Sequence, residues 1–187
     1  MRIVLASGNA HKAVELTRLL PGWDVEPWTG ELPEETGETF EDNALLKARH
    51  VWRALGGERW VLADDSGIAA EALGGRPGVR SARFAGEHAT DEENLHALLD
   101  ALDGESDRRV AYVAALVAIA PDGEERVVRG ELRGTFAGEA RGRGGFGYDP
   151  AFVPEGESRT VGEMRPDEKD AISHRARAAA ALRQLLP

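Results

Sequence analysis

The feature that most constrains this chain is Trp60-Val61-Leu62-Ala63, an unbroken apolar run that passes directly into Asp64-Asp65-Ser66-Gly67. Consecutive apolar residues with no polar alternation need cover on both faces, which is the environment of an interior strand in a sheet with helices on both sides. Polar residues at the carboxyl end of such a strand lie where open α/β sheets bind ligands. Successive side chains on a strand point to opposite faces, so Asp64 and Asp65 reach one ligand together only if the chain turns there. One of the two therefore serves another purpose.

The rest of the chain supplies the other elements. Arg2 to Ala6 reads as a strand that breaks at Ser7-Gly8-Asn9. Val14, Leu16, Leu19 and Leu20 then give a helical spacing up to Pro21-Gly22. Trp23 to Trp28 forms a second strand. Residues 21 to 46 carry eight acids and no Lys or Arg, the composition of a solvated loop. Thr39 and Asp42 resemble a capping box, and Phe40, Ala44, Ala48, Val51, Trp52 and Leu55 mark a helix from about 40 to Gly56-Gly57. Beyond the Gly74 to Gly78 turn, Thr90-x-x-Glu93 caps a helix bearing Leu95, Leu98, Leu99 and Leu102. Val110 to Ala120 is rich in Val and Ile and closes in Pro121-Asp122-Gly123, a strand that hairpins into Glu125 to Phe136. Six glycines lie between 134 and 147, the last of them inside Phe146-Gly147-Tyr148-Asp149-Pro150, and an Ala-rich helix spans about Ser173 to Leu186. The expected fold is α/β: a mixed, partly antiparallel central sheet flanked by helices, in two lobes with the active-site cleft between them, all within one domain over 1–187.

Composition narrows the function. With 23 Lys and Arg against 33 Asp and Glu, the net charge of −10 argues against a protein that holds nucleic acid by blanketing phosphates with cations. No cysteine is present, which removes disulfides, thiolate nucleophiles and thiolate metal sites, and suits a reducing compartment. Ile3 to Ala6 is too short for a signal-peptide core, and the apolar run from 110 to 120 falls short of the ~20 residues of a spanning helix. The expectation is a soluble, cytoplasmic protein without a membrane or nucleic-acid partner.

Three constellations can carry chemistry. Ser7-Gly8-Asn9-Ala10-His11-Lys12 sits where a strand turns into a helix, and backbone N–H groups, the helix dipole and Lys12 together suit a phosphate. The same residues also suit a plain helix cap, and the segment matches neither G-x-x-x-x-G-K-[ST] nor G-x-G-x-x-G. Glu34, Glu35, Asp42, Asp64 and Asp65 are hard oxygen ligands, and with five scattered histidines and no H-E-x-x-H the ion they suit is Mg²⁺ or Mn²⁺. Asp42 equally serves as a cap, and Glu34 and Glu35 as a solvated loop. Phe146 to Asp149, Lys169 and Ser173-His174-Arg175 combine an aromatic face with cationic donors, as a planar base with a carbonyl edge requires. Arg141-Gly142-Arg143-Gly144-Gly145 has the look of a single RNA-binding arginine-glycine segment, which the acidic balance disfavours.

Taken in order, Ser7-Gly8-Asn9-x-x-Lys12-x-x-Glu15, Glu35-Thr36-Gly37, Asn43-Ala44-x-x-Lys47-Ala48, Ala63-Asp64-Asp65-Ser66-Gly67, Gly78-x-x-Ser81-Ala82-Arg83, Gly145-Phe146-Gly147-Tyr148-Asp149-Pro150 and Glu168-Lys169-x-x-Ile172-Ser173-His174-Arg175 resemble the inosine triphosphate pyrophosphatase family. The resemblance implies hydrolysis of non-standard purine nucleoside triphosphates (ITP, dITP, XTP) to the monophosphate and pyrophosphate. It also implies a homodimer and Mg²⁺ as cofactor. By position, Ser7, Gly8, Asn9, Ala10, His11 and Lys12 match the triphosphate loop, with Lys47 on the same phosphates. Glu35 and Asp65 match the metal ligands, and Asp65 also the proton acceptor for water. Ser66, Phe146, Gly147, Tyr148 and Asp149 match substrate contacts, while Lys169, His174 and Arg175 match the base readers. Many members have Glu where this chain has Asp42, which leaves open what Asp42 does for a metal.

Overall fold

The computed structural model describes residues 1–187. Six strands, β1 (Arg2–Leu5), β2 (Asp24–Pro27), β3 (Trp60–Ala70), β4 (Arg109–Ile119), β5 (Glu125–Phe136) and β6 (Phe152–Pro154), form one sheet in the order β2-β1-β3-β4-β5-β6. β1 runs parallel to both of its neighbours, with Ile3 opposite Val25 on one side and Trp60 on the other. β5 and β6 are antiparallel, with Phe136 opposite Phe152. The β4–β5 connection is the expected tight turn: Ala120 N–H donates to Glu124 O at 2.9 Å, and Phe136 N–H at the far end of β5 donates to Arg108 O at 2.8 Å. Bonds at both ends of the pair make it antiparallel. The mixed, partly antiparallel sheet flanked by helices expected from the sequence is the one observed.

The helices are α1 (Ala10–Leu19), α2 (Phe40–Ala54), α3 (Asp91–Ala101), α4 (Pro166–Ile172) and α5 (His174–Arg183). Their starts follow the capping residues. Asn9 caps α1 and Thr39 caps α2, while Thr90 and Glu93 make a reciprocal capping box on α3. Two boundaries differ from the sequence reading. The C-terminal helix begins at His174 and ends at Arg183, and a separate short helix, α4, precedes it because Ser173 is extended and breaks the two apart. β3 does not stop at Asp64 but continues through both aspartates to Ala70. Each of those carboxylates meets buried cations, so the polar pair does not end the strand. Further on, Gly67 lies so close to Ser81 that a Cβ on it would come within 2.8 Å of the Ser81 Cβ.

The chain divides into two compact units, one comprising Met1–Asp65, Ala114–Gly130 and His174–Pro187, the other Ser66–Val113 and Glu131–Ser173. The first has a core of Ile3, Leu5, Leu16, Leu20, Leu62, Leu116, Ala178 and Leu182. In it α1 and α5 pack together, and α2 buries Phe40, Ala44, Ala48 and Val51. The second has its own core, in which Leu95 and Leu98 of α3 meet Ile68, Tyr112, Phe136, Tyr148 and Phe152.

The seat of α5 on β5 depends on a residue without a side chain. A Cβ on Gly130 would lie 2.5 Å from the backbone nitrogen of Ala178 and 3.0 Å from its Cβ, and helix backbone cannot swing aside as a flexible side chain can. Gly130→Val should therefore cost at least the ~1–3 kcal/mol typical of overpacking. The shift in denaturant midpoint measures this, and a variant as stable as the parent would show that α5 does not sit on β5 as described.

Candidate active site

The β1–α1 turn carries the first constellation. Asn9 Oδ1 accepts from the His11 and Lys12 N–H groups at 2.9 and 3.2 Å, and Ser7 Oγ accepts from Asn9 N–H at 3.2 Å. The capping role is thus real. Space at Gly8 is open, with no heavy atom within 4 Å of where a Cβ would stand, so a ligand can approach this backbone closely. Ala10 and His11 are exposed, and Lys12 turns inward, its ammonium 2.5 Å from Asp64 Oδ1.

Alternation along β3 decides where the two aspartates go. Leu62 belongs to the core beneath α1 and α5, and Asp64, two residues on, shares its face. There Asp64 Oδ1 holds Lys12, while Oδ2 accepts from Arg175 Nε at 2.9 Å. The other arm of Arg175 pairs with Glu15 of α1. Asp64, Glu15 and Arg175 are all buried. Burial raises the Asp64 carboxyl, but Arg175 and Lys12 outweigh it and hold the group far below the ordinary carboxylate range. The guanidinium, desolvated yet facing Asp64 and Glu15, is pushed further up. Arg175, placed by resemblance among base readers, has both Nε and NH1 committed to carboxylates in this structure.

Asp65 points to the opposite face, toward α2. Its Oδ1 lies 3.2 Å from Lys47 Nζ, which also donates to Asp64 O at 2.9 Å and to Glu35 Oε1 at 2.5 Å. Asn43 Nδ2 donates to Asp65 Oδ2 at 3.3 Å, and Asn43 Oδ1 accepts from Gly37 N–H at 2.7 Å. Asn43 thereby ties the acidic loop to the strand. Only glycine fits at position 37, where a Cβ would come within 2.6 Å of the Asp42 Cβ. Burial is the main influence on Asp65 and raises its pKa, reinforced by Glu35 and Asp64 against the opposing pull of Lys47 and Lys12. Lys47 is desolvated as well, but Asp65 and Glu35 outweigh that and raise it. Asp42 belongs to the α2 cap: its N–H donates to Thr39 Oγ1 at 3.1 Å, and its Oδ2 accepts from the Thr39 hydroxyl at 2.7 Å.

Glu35 and Asp65 converge on one cationic point, the Lys47 ammonium, and no cluster of three or more acidic or histidine side chains forms a closed metal cage. That donor set fits Mg²⁺, which takes one or two carboxylates and completes its shell with water and substrate phosphates.

The second unit holds the aromatic constellation. Asp149 Oδ2 accepts from Phe146 N–H at 2.9 Å and from Lys169 Nζ at 2.7 Å, and the Lys169 ammonium stands 4.6 Å over the Phe146 ring. Gly147, in the left-handed region at φ 60°, donates its N–H to Asp91 Oδ2 at 2.9 Å. Tyr148 is buried, its hydroxyl donating to Ser81 O at 2.7 Å, which makes it an anchor of this loop. Ser66 opens this unit's share of β3 and is half-buried, whereas His174 is buried at the start of α5 in the first unit. The arginine-glycine segment is pinned to its own unit: Arg141 N–H donates to Pro150 O at 2.7 Å and Arg141 O accepts from the Thr160 hydroxyl at 2.7 Å. Glu15, Asn43, Asp91 and Tyr112 were given no role by sequence reasoning. Glu15 and Asn43 lie inside the quoted motifs, while Tyr112 lies in an apolar run that carries no functional signal.

The profile of the Ham1 family matches residues 3–185. A dITP/XTP pyrophosphatase of Deinococcus deserti is 49% identical, covering 97% of this chain and 87% of its own length. One from Mycobacterium tuberculosis is 48% identical, covering 97% and 93%. Among solved structures, a HAM1 protein from Coxiella burnetii superposes with a TM-score of 0.89 at 39% identity, over 99% of this chain and 98% of that one. The nucleoside-triphosphatase / dITP/XTP pyrophosphatase of Mycobacterium abscessus gives 0.77 at 46% identity, over 97% and 98%.

Because Asp64 binds no proton in the folded state until far below the ordinary value of about 3.9, the unfolded chain takes up the proton first as pH falls. Its contribution is present in full above about pH 5 and fades as the pH drops toward 2. Asp64→Asn should be less stable than the parent by ~3–5 kcal/mol at pH 7, since Arg175 and Lys12 lose their shared partner. The gap should narrow as the pH falls below about 4, in urea titrations of both proteins across that range. A gap that is constant with pH would place the Asp64 charge outside this network.

Proposed function

As a member of the Ham1 family the chain is a pyrophosphatase of non-standard purine nucleoside triphosphates, and we propose that it cuts the α,β-phosphoanhydride bond with Asp65 as proton acceptor and Mg²⁺ as cofactor. The observation that carries the residue assignment is the arrangement about Lys47, where Glu35 and Asp65 meet one buried ammonium beside the middle of β3. A general base works best when its pKa lies near the operating pH, and burial moves Asp65 in that direction. Water adding to phosphorus would give up its proton to an Asp65 oxygen, while Asn43 fixes the plane of that carboxylate. No covalent nucleophile is needed, since orientation and charge stabilisation supply the catalysis.

Charge favours the cation as well. Around β3, Glu15, Glu35, Asp64 and Asp65 stand against Lys12, Lys47 and Arg175, four carboxylates to three cations. A triphosphate brings about four further negative charges, which such a cluster repels unless a metal joins it. Bound Mg²⁺, held by Glu35 and Asp65, would supply charge neutralisation and phosphate orientation. Lys12 and Lys47, released in part from their carboxylates, bind the phosphates. In the second unit Phe146 offers a face to the purine and Lys169 a donor for the 6-carbonyl that hypoxanthine and xanthine share and adenine lacks. The dimer and the cytoplasmic location belong to the same proposal, supported by the family resemblance. No helix is long and apolar enough to cross a membrane.

With dITP the products should be dIMP and pyrophosphate, and chelation of divalent ions should stop turnover. Release of orthophosphate and dIDP would overturn the α,β assignment. Asp65→Asn should lower kcat by ~10²-fold or more with the fold kept, as followed by circular dichroism and a pyrophosphate assay. Near-parental turnover would move the proton acceptor elsewhere.

A further inference from the structure

Tyr112 lies within the apolar run of β4, 7% exposed, its ring stacked on Phe152 with centroids 4.4 Å apart and planes 27° apart. For packing alone phenylalanine would serve. A buried hydroxyl is costly unless it is bonded, and this one donates to Asp149 Oδ1 at 3.0 Å. Asp149 is itself 2% exposed, and its other oxygen is already shared by the Phe146 N–H and the Lys169 ammonium. One carboxylate thus joins a central strand, the aromatic loop and α4. Its two oxygens are divided: one fixes the loop and the lysine, the other is fixed by Tyr112.

We propose that Tyr112 is a positioning residue for base recognition, acting through Asp149 to set the Lys169 ammonium and the Phe146 ring; this rests on the reading of the Phe146 loop and Lys169 as the base-binding half. Without the hydroxyl, Oδ1 faces a dry interior, and the carboxylate gains by rotating or by drawing on Lys169 with both oxygens. Either movement displaces the ammonium from its station over Phe146. The phosphate residues are untouched, so the loss falls on ground state and transition state alike. Such a loss raises KM and leaves kcat in place.

The test compares Tyr112→Phe, Phe146→Ala and Asp149→Asn, with the Tyr112→Phe/Asp149→Asn double variant. Steady-state kinetics with dITP and dATP are combined with calorimetric binding of dIMP and a thermal melt of each protein. Tyr112→Phe should raise both KM for dITP and Kd for dIMP ~5- to 30-fold, the scale of an orphaned buried acceptor, with kcat within about twofold. The preference for dITP over dATP should shrink. In the Asp149→Asn background the same substitution should add less than about twofold, because the group it positions is gone. An unchanged KM and Kd in Tyr112→Phe, with Phe146→Ala weakened, overturns the role of Tyr112 and leaves the base-binding reading standing. Unchanged binding in Phe146→Ala overturns both. A lower melting temperature with lower kcat at constant KM means that Tyr112 only packs, and likewise overturns the proposal. The KM-against-kcat split in the single variant decides the matter even if Asp149→Asn does not fold.

Discussion

The buried charges that join α1, β3 and α5 depend on one carboxylate divided between two cations. Asp64 gives Oδ1 to Lys12 and Oδ2 to Arg175, and Arg175 reaches on to Glu15. Four charged side chains from α1, β3 and α5 are thereby locked together. A buried charge without such company would cost several kcal/mol, so none of the four can be placed independently of the others. Lys12 in the first turn of α1 and the arginine at the start of the last helix are set by the same group. A change at Arg175 is therefore felt at Lys12 before any base is considered.

The strand that carries Asp64 divides the labour by geometry. Its two faces are covered by different helices, and the adjacent aspartates fall one on each. Asp64, compensated by Lys12 and Arg175, stays ionised and structural. Asp65, more burdened by burial than relieved by Lys47, is raised. Two identical residues in sequence are thus shifted in opposite directions by what surrounds them. The second unit repeats the device in another key: Asp149, shared by Tyr112, Phe146 and Lys169, ties an aromatic loop and a cation to a central strand.

The readings from sequence succeeded where a local rule governs. The caps at Asn9, Thr39 and Thr90, the Pro121-Asp122-Gly123 turn and the alternation that separates Asp64 from Asp65 are all consequences of a few neighbouring residues. They failed where distant partners intervene. β3 runs past Asp64 because cations from α1, α2 and α5 neutralise its aspartates. Ser173 interrupts the final helix. Composition alone makes Glu35 one more acid in a solvated stretch, whereas Lys47 and the Asn43 bridge draw its loop onto the strand.

What the sequence determined by itself is the inventory and its order: an α/β chain with a buried strand that carries two carboxylates, a glycine turn before a lysine, and an aromatic loop before a basic helix start. Periodicity and capping are short-range, so the chain states them openly. What only the tertiary structure decided is which charge answers which. Arg175 lies 111 residues from Asp64 and 160 from Glu15, and Tyr112 lies 37 from Asp149. The energy of a buried ion pair or hydrogen bond depends on separations of a few ångströms that no spacing in sequence encodes. Those separations exist only once the strands and helices have packed.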